Sequence, residues 1–248
     1  MTGPPEAPSI SGLPEISLRE DDELVLTCRS RPDSAPPTLQ WFRSVPLSLS
    51  LSLLILTSVP LSRQGQHLEN QNVSVVAVDS SVSEAKLYLK VSRRDNNVEY
   101  SCQASNGNHF PSVSQKTNFS VYFEPRTARL YLTKLTTGLD GREKLYSHVG
   151  ERLQLNCQAG NSNPPPKFAW YKNGQLVTGG ETVVKPGKHG GYIVTQTYQV
   201  NGGNPVTFQA NNTSYKCVVT NPAINGKNVA QEYVLDVRCE FDIAGQKS

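Results

Sequence analysis

The residues of this 248-residue chain that could do chemistry are its five cysteines, four histidines and a set of Asn-X-Ser/Thr sequons. The cysteines stand at 28, 102, 157, 217 and 239, and none belongs to a CxxC pair or to a Cys/His cluster with zinc spacing. The chemistry left to them is oxidation, with four paired and one over, which fits an oxidising compartment such as the cell surface or extracellular space. His67, His109, His148 and His189 are scattered, no GxSxG, HExxH or phosphate-binding loop occurs, and no nucleophile has a sequence-adjacent base. No catalytic residue is therefore expected, and the histidines read as solvated surface groups. Glu20-Asp-Asp-Glu23 is the one carboxylate cluster dense enough to suggest calcium, but its place ahead of a strand suits a solvated turn better, so no metal and no cofactor is expected. Sequons lie at Asn72-Val-Ser74, Asn118-Phe-Ser120 and Asn211-Asn-Thr213, with Asn212-Thr-Ser214 overlapping the last. Asn118 falls on a predicted strand and is usable only if its side chain points to solvent.

Each cysteine needs an element to aim it. Leu24, Leu26 and Cys28 alternate with polar positions, Trp41 follows, and Tyr100-Ser-Cys102 closes the unit; Leu153, Leu155 and Cys157 then repeat the alternation, Trp170 follows at the same interval, and Tyr215-Lys-Cys217 closes the second unit. Period-two alternation puts the leucines and the cysteine on one face of a strand, where the cysteine points between two sheets and a return strand brings the tryptophan beside it. Further alternation predicts strands at 86–91, 99–105 and 116–122 in the first unit, and at 129–132, 192–198 and 229–237 in the second. The fold class expected is all-β, two tandem sandwiches. The first domain runs over 1–124, the second over 125–240 and a tail over 241–248. The short linker at Phe123-Glu-Pro-Arg126, stiffened by Pro125, suggests an extended rod with limited hinge motion.

These residues resemble the immunoglobulin superfamily: Cys28, Trp41, Tyr100 and Cys102, and again Cys157, Trp170, Tyr215 and Cys217, look like its B, C and F strands. The resemblance implies disulfides Cys28–Cys102 and Cys157–Cys217, with Trp41, Tyr100, Trp170 and Tyr215 in the cores. It also implies that the tyrosine hydroxyl bonds a backbone carbonyl upstream, near Asp95 in the first unit. The run Gly160-Asn-Ser-Asn-Pro-Pro-Pro166 before Phe168-Ala-Trp170 is similar to C2-type domains of adhesion molecules of the nephrin, nectin and sidestep groups.

One segment breaks the pattern. The first unit spends 74 positions between its cysteines where the second spends 60, and the excess is the Ser/Leu-rich stretch at 44–63. It is too short and too polar to cross a membrane, with Pro46 and Pro60 bracketing it. Two readings stay open. It is a long loop with exposed leucines, or it is a retained intron, because TCT and CTC codons of a pyrimidine tract translate as alternating Ser and Leu. The second is our expectation.

The net charge of +3 arises from interspersed charges with no basic stripe, which argues against nucleic acid as partner. MTGPPEAPSI shows no secretory leader, so a leader and any membrane anchor are expected outside this stretch. The function expected is an extracellular protein-binding module of a cell-adhesion or recognition receptor, whose partner is a protein ligand or a homophilic copy on another cell. The alternatives are the ectodomain of a receptor tyrosine kinase or phosphatase, and a soluble immune recognition protein. The preferred contact is the outer sheet face of the first domain with Asn108, His109 and Phe110. Cys239 is a free thiol at a frayed end or an intermolecular disulfide.

Overall fold

A computed structural model describes residues 5–31, 36–44, 66–67, 73–79, 82–106, 110–125, 128–131, 135–137, 143–224 and 228–239. Contacts divide the chain into two units, Met1–Val121 and Tyr122–Ser248. The Ser/Leu-rich stretch after Ser44 lies outside the described residues, as do Asn72, Asn108 and His109.

The first unit opens with two short strands, β1 (Ser9–Ser11) and β2 (Leu18–Arg19). Gly12, at φ +90°, ends β1 so close to its neighbour that a Cβ there would stand 2.4 Å from the Val25 carbonyl oxygen. The alternating leucines and Cys28 run through β3 (Glu23–Ser30), and β4 (Thr38–Arg43) carries Trp41. β5 (Gln66–His67), β6 (Val73–Asp79) and β7 (Val82–Lys90) follow, then β8 (Tyr100–Ser105), β9 (Ser112–Val113) and β10 (Val121–Tyr122). One sheet has the order β1-β3-β7-β6 and the other β5-β4-β8-β9. Leu24, Leu26, Leu39, Trp41, Leu87, Tyr100 and Phe119 are buried between them.

The second unit repeats the plan. Its strands are β11 (Ala128–Tyr131), β12 (Leu135–Thr137), β13 (Glu143–His148), β14 (Gln154–Ser162), β15 (Lys167–Lys172), β16 (Gln175–Val177), β17 (Glu181–Pro186), β18 (Tyr192–Gln199), β19 (Ser214–Thr220) and β20 (Val229–Arg238). They form one sheet of order β11-β14-β18-β17 and another of order β12-β13-β20-β19-β15-β16, in which β13 runs parallel to β20. No α-helix occurs among the described residues.

Cys28–Cys102 and Cys157–Cys217 each join one sheet to the other. Closing loops of 74 and 60 residues in the unfolded chain contributes about 4 kcal/mol apiece on loop-closure entropy. The two indoles are almost fully buried beside these bridges but are not equivalent. Trp41 Nε1 donates to the Ala85 carbonyl at 3.3 Å, whereas Trp170 Nε1 has no partner among the described residues and instead lies against the Tyr198 ring, centroids 5.6 Å apart.

Three expectations need correction. Tyr100 does not bond a backbone carbonyl: its hydroxyl donates to the Asp95 carboxylate Oδ1 at 2.8 Å. Arg43 Nη2 reaches the same oxygen at 2.8 Å, and the Ser92 amide and hydroxyl donate to Oδ2 at 2.9 and 2.8 Å. The two oxygens of a carboxylate accept all four donors at once and add a negative charge for Arg43, whereas a lone carbonyl oxygen has room for two. Burial, reinforced by the Asp95 charge, pushes the Tyr100 hydroxyl well above its usual pKa; burial pushes Tyr215 up to about 12.

The strand predicted at 86–91 begins earlier, at Val82, because Ser83 and Glu84 are buried in it and break the alternation. Glu84 is tolerated there because Arg29 Nε stands 2.7 Å and Lys86 Nζ 3.4 Å from its carboxylate. The strand predicted at 116–122 is broken into a bridge at Thr117 and β10, and the pairing with β8 already begins before it, at β9. Between β9 and Thr117 the Ser114 amide still donates to the Cys102 carbonyl at 2.8 Å, but Ser114 Oγ accepts from the Cys102 amide at 2.9 Å, so a side chain replaces one bond of the ladder pair.

Three outcomes follow from this packing. Trp41→Phe loses a hydrogen bond that Trp170→Phe does not, so it should cost its unit about 1 kcal/mol more, read from the two denaturant transitions. Asp95→Ala leaves Arg43 and Tyr100 facing an empty site and should cost about 3 kcal/mol, against about 1 kcal/mol for Tyr100→Phe. The Arg29 hydrogen bond holds the Glu84 carboxyl below the usual carboxylate range in spite of burial. The stability it gives is therefore full above the unfolded carboxylate pKa and lost as pH falls through the lowered native value. Wild type and Arg29→Ala should differ in stability near neutral pH and converge in acid, and an NMR titration should show Glu84 shifted upward in the variant.

Candidate recognition surface

With Trp41, Tyr100 and Cys102 turned inward, alternation turns the intervening residues of β4 and β8 outward. The register sets Gln40 opposite Gln103, Phe42 opposite Ser101 and Thr38 opposite Ser105, and carries Gln103 on to Val113 of β9. Thr38 Oγ1 donates to the Ser105 carbonyl at 2.9 Å, tying the two strand ends together. The resulting face is polar but carries no charge on these positions. Val113 stands 52% exposed, and Phe110, in the loop between β8 and β9, is 94% exposed. The charges lie at the other end of the face, where Lys116 Nζ meets Glu99 Oε2 at 2.7 Å. An uncharged centre with charges kept to the rim is a distribution that protein-binding faces favour, and the exposed Phe110 adds an aromatic of the kind that anchors them.

Asn118 is exposed and follows Thr117, which bridges to Tyr100, while Phe119 behind it is buried and stacks on Tyr100 at 5.7 Å. It lies outside the named strands but points to solvent on the outer face, at the charged end. The second-unit sequons divide differently. Asn211 is half-buried, with its Oδ1 accepting from the Val237 amide at 3.0 Å, and the hydroxyl residue of its sequon, Thr213, is buried. Asn212 beside it is exposed in a left-handed turn at φ 61°.

The chemistry elsewhere is structural. No cluster of three metal-ligating side chains occurs among the described residues. Glu20 of the acidic run is not simply solvated: its carboxylate holds Arg93, with Nε at 2.8 Å. His148 differs from the expected surface group too, since it is half-buried, contacts the Tyr146 hydroxyl and lies 3.6 Å from Glu151. Cys239 is free and exposed. No helix among the described residues is long and apolar enough to cross a membrane. Sequence reasoning missed the Asp95 carboxylate that anchors β4 and β8 from behind and the pairing of Gln40 with Gln103 in front. The first left no signal beyond Asp95 lying five residues before the tyrosine, and the second followed from the same alternation that placed Trp41.

Comparison with known proteins agrees with this architecture. The family model for the CD80-like C2-set immunoglobulin domain matches residues 8–112, in the first unit, and that for the immunoglobulin domain matches 141–232, in the second. Rattus norvegicus nephrin is 28% identical over 169 residues, 67% of this chain and 11% of nephrin. Mus musculus Kin of IRRE-like protein 2 is 26% identical over 180 residues, 71% of this chain and 21% of that protein. This chain therefore spans a small part of these relatives. The crystal structure of Rst D1-D2 superimposes with a TM-score of 0.58 at 16% identity, covering 94% of this chain and 100% of that one. The ectodomain of mouse nectin-like molecule 4 does so with a TM-score of 0.50 at 16% identity, covering 90% and 66%. Two facing sheets, a disulfide across each pair and an indole beside each disulfide recur in both halves of the molecule, and the chain belongs to the immunoglobulin superfamily as two of its domains in tandem.

Proposed function

We propose that this chain is an extracellular protein-binding module of a cell-adhesion or recognition receptor, and that it takes its partner on the outer face of the first domain's β5-β4-β8-β9 sheet. Its relatives nephrin and Kin of IRRE-like protein 2 are cell-adhesion immunoglobulin receptors. Two disulfides and exposed sequon asparagines fit the same extracellular setting. The function is binding rather than catalysis, and the partner is a protein on another cell, a second copy or a different ligand.

The observation that carries this reading is Phe110, 94% exposed at the margin of an uncharged face. A large aromatic left in water gains most from a partner's pocket, and the neighbouring Gln, Ser and Thr side chains can exchange water for partner hydrogen bonds at little desolvation cost. An N-glycan on Asn118 would stand at the charged end of the same face. From Thr117, opposite Tyr100, to Val113, opposite Gln103, is about 10 Å along the strand, so such a glycan would restrict contact to the Phe110 end.

Cells displaying the chain should cluster with one another or with cells that display its ligand. Phe110→Ala should lower the clustered fraction through an affinity loss of about tenfold or more, with expression and both disulfides intact. Undiminished clustering by that variant would rule out this face.

A further inference from the structure

The second domain has an edge that the adhesion face does not use. β17 closes the β11-β14-β18-β17 sheet, pairing with β18 on one side only among the described residues, and all six of its residues are exposed. Val183 and Val184 lie 42% and 53% exposed in mid-strand. A sheet edge with apolar residues and free backbone groups is a template for another strand. The corresponding edge of the first domain, β6, is immediately preceded in the chain by the sequon Asn72-Val-Ser74, whereas β17 carries none.

The sequence Glu181-Thr-Val-Val-Lys-Pro186 selects the strand that fits. Glu181, Val183 and Lys185 share one face of β17, and Thr182 and Val184 the other. At about 3.3 Å per residue the two charges stand about 13 Å apart, too far to neutralise each other within the strand. A second copy laid antiparallel across a two-fold axis at Val183 brings Glu181 opposite the other copy's Lys185 at both ends. It also places Val183 opposite Val183, and Thr182 opposite Val184 twice. No other two-fold register opposes the charges: centring on Val184 sets Lys185 against Val183, and a centre between Thr182 and Val183 sets Glu181 against Val184. We infer that β17 is a homodimerisation edge, on which two copies of this chain join their β11-β14-β18-β17 sheets through an antiparallel β17–β17 pair.

The charge pattern explains why the edge does not recruit strands at large. Lys and Pro on an edge strand oppose indiscriminate pairing, and here Lys185 is accommodated only by a strand that presents a carboxylate in the matching place. Pro186 has no amide to donate and ends the run, so the contact is short, two-fold and closed rather than fibre-forming. Its small area makes it weak in solution and effective where copies are concentrated on one surface.

Sedimentation of the two-domain chain up to about 1 mM should show reversible dimers. Lys185→Glu should weaken them about tenfold or more, by replacing two attractive cross-strand pairs with repulsive ones, and the Glu181→Lys/Lys185→Glu double variant should restore them. In a Cys239→Ser background, chosen because Cys239 is itself free and exposed, Val183→Cys should form a disulfide dimer under mild oxidation, since residues opposed across such an axis come within disulfide reach. Val184→Cys, which faces Thr182, should not. A chain that stays monomeric, a charge reversal without effect, a double variant that fails to recover, or equal cross-linking of the two cysteine variants would each overturn the assignment.

Discussion

A sheet with one apolar face must cover that face, and in both domains the cover is a second sheet held by a sulfur bridge with an indole beside it. The bridge demands that each cysteine point inward, which sets the phase of its strand, and the period of two then sets the direction of every other side chain on that strand. Leu26, Cys28, Trp41, Tyr100 and Cys102 face the interior for one shared reason. The outward direction of Gln40, Phe42, Ser101 and Gln103 is the other half of the same constraint.

This coupling supports the outer face of the first domain largely from the inside. Asp95 holds Arg43 of β4, Tyr100 of β8 and Ser92 behind the sheet, so the strands that present the outer face are tied from the inside. The second domain, by contrast, has at the homologous tyrosine the Tyr198 ring at 6.1 Å. The two domains share a frame and differ in what fastens it.

Repetition made the frame legible. Two copies of Leu-x-Leu-x-Cys, a tryptophan at a common interval and Tyr-x-Cys identify the inward positions almost residue by residue. What stayed hidden were places where a polar side chain replaces a backbone group or an apolar core residue. Ser114 interrupts the last strands of the first domain by bonding the Cys102 amide, Glu84 is covered on the outward face of its strand by Arg29, and Asp95 takes the role assigned to a carbonyl. Each is a side-chain pairing that the period-two pattern does not encode. Edges were hidden for another reason: Val183 and Val184 look like core residues in sequence, and only the sheet order shows that nothing in the domain lies beside β17 on its outer side among the described residues.

The parallel pairing of β13 with β20 has a mechanical meaning. Leu145 lies opposite Leu235 and His148 opposite Arg238, so the two strands point the same way although one belongs to the start of the domain and the other to its end. Tension that draws the first strands backward and the last strand forward loads this ladder along its length. Its hydrogen bonds then resist together in shear, whereas a hairpin pulled at its open end unzips bond by bond. A domain wired in this way meets tension between its ends through the direction of two strands as well as through the packing of its core.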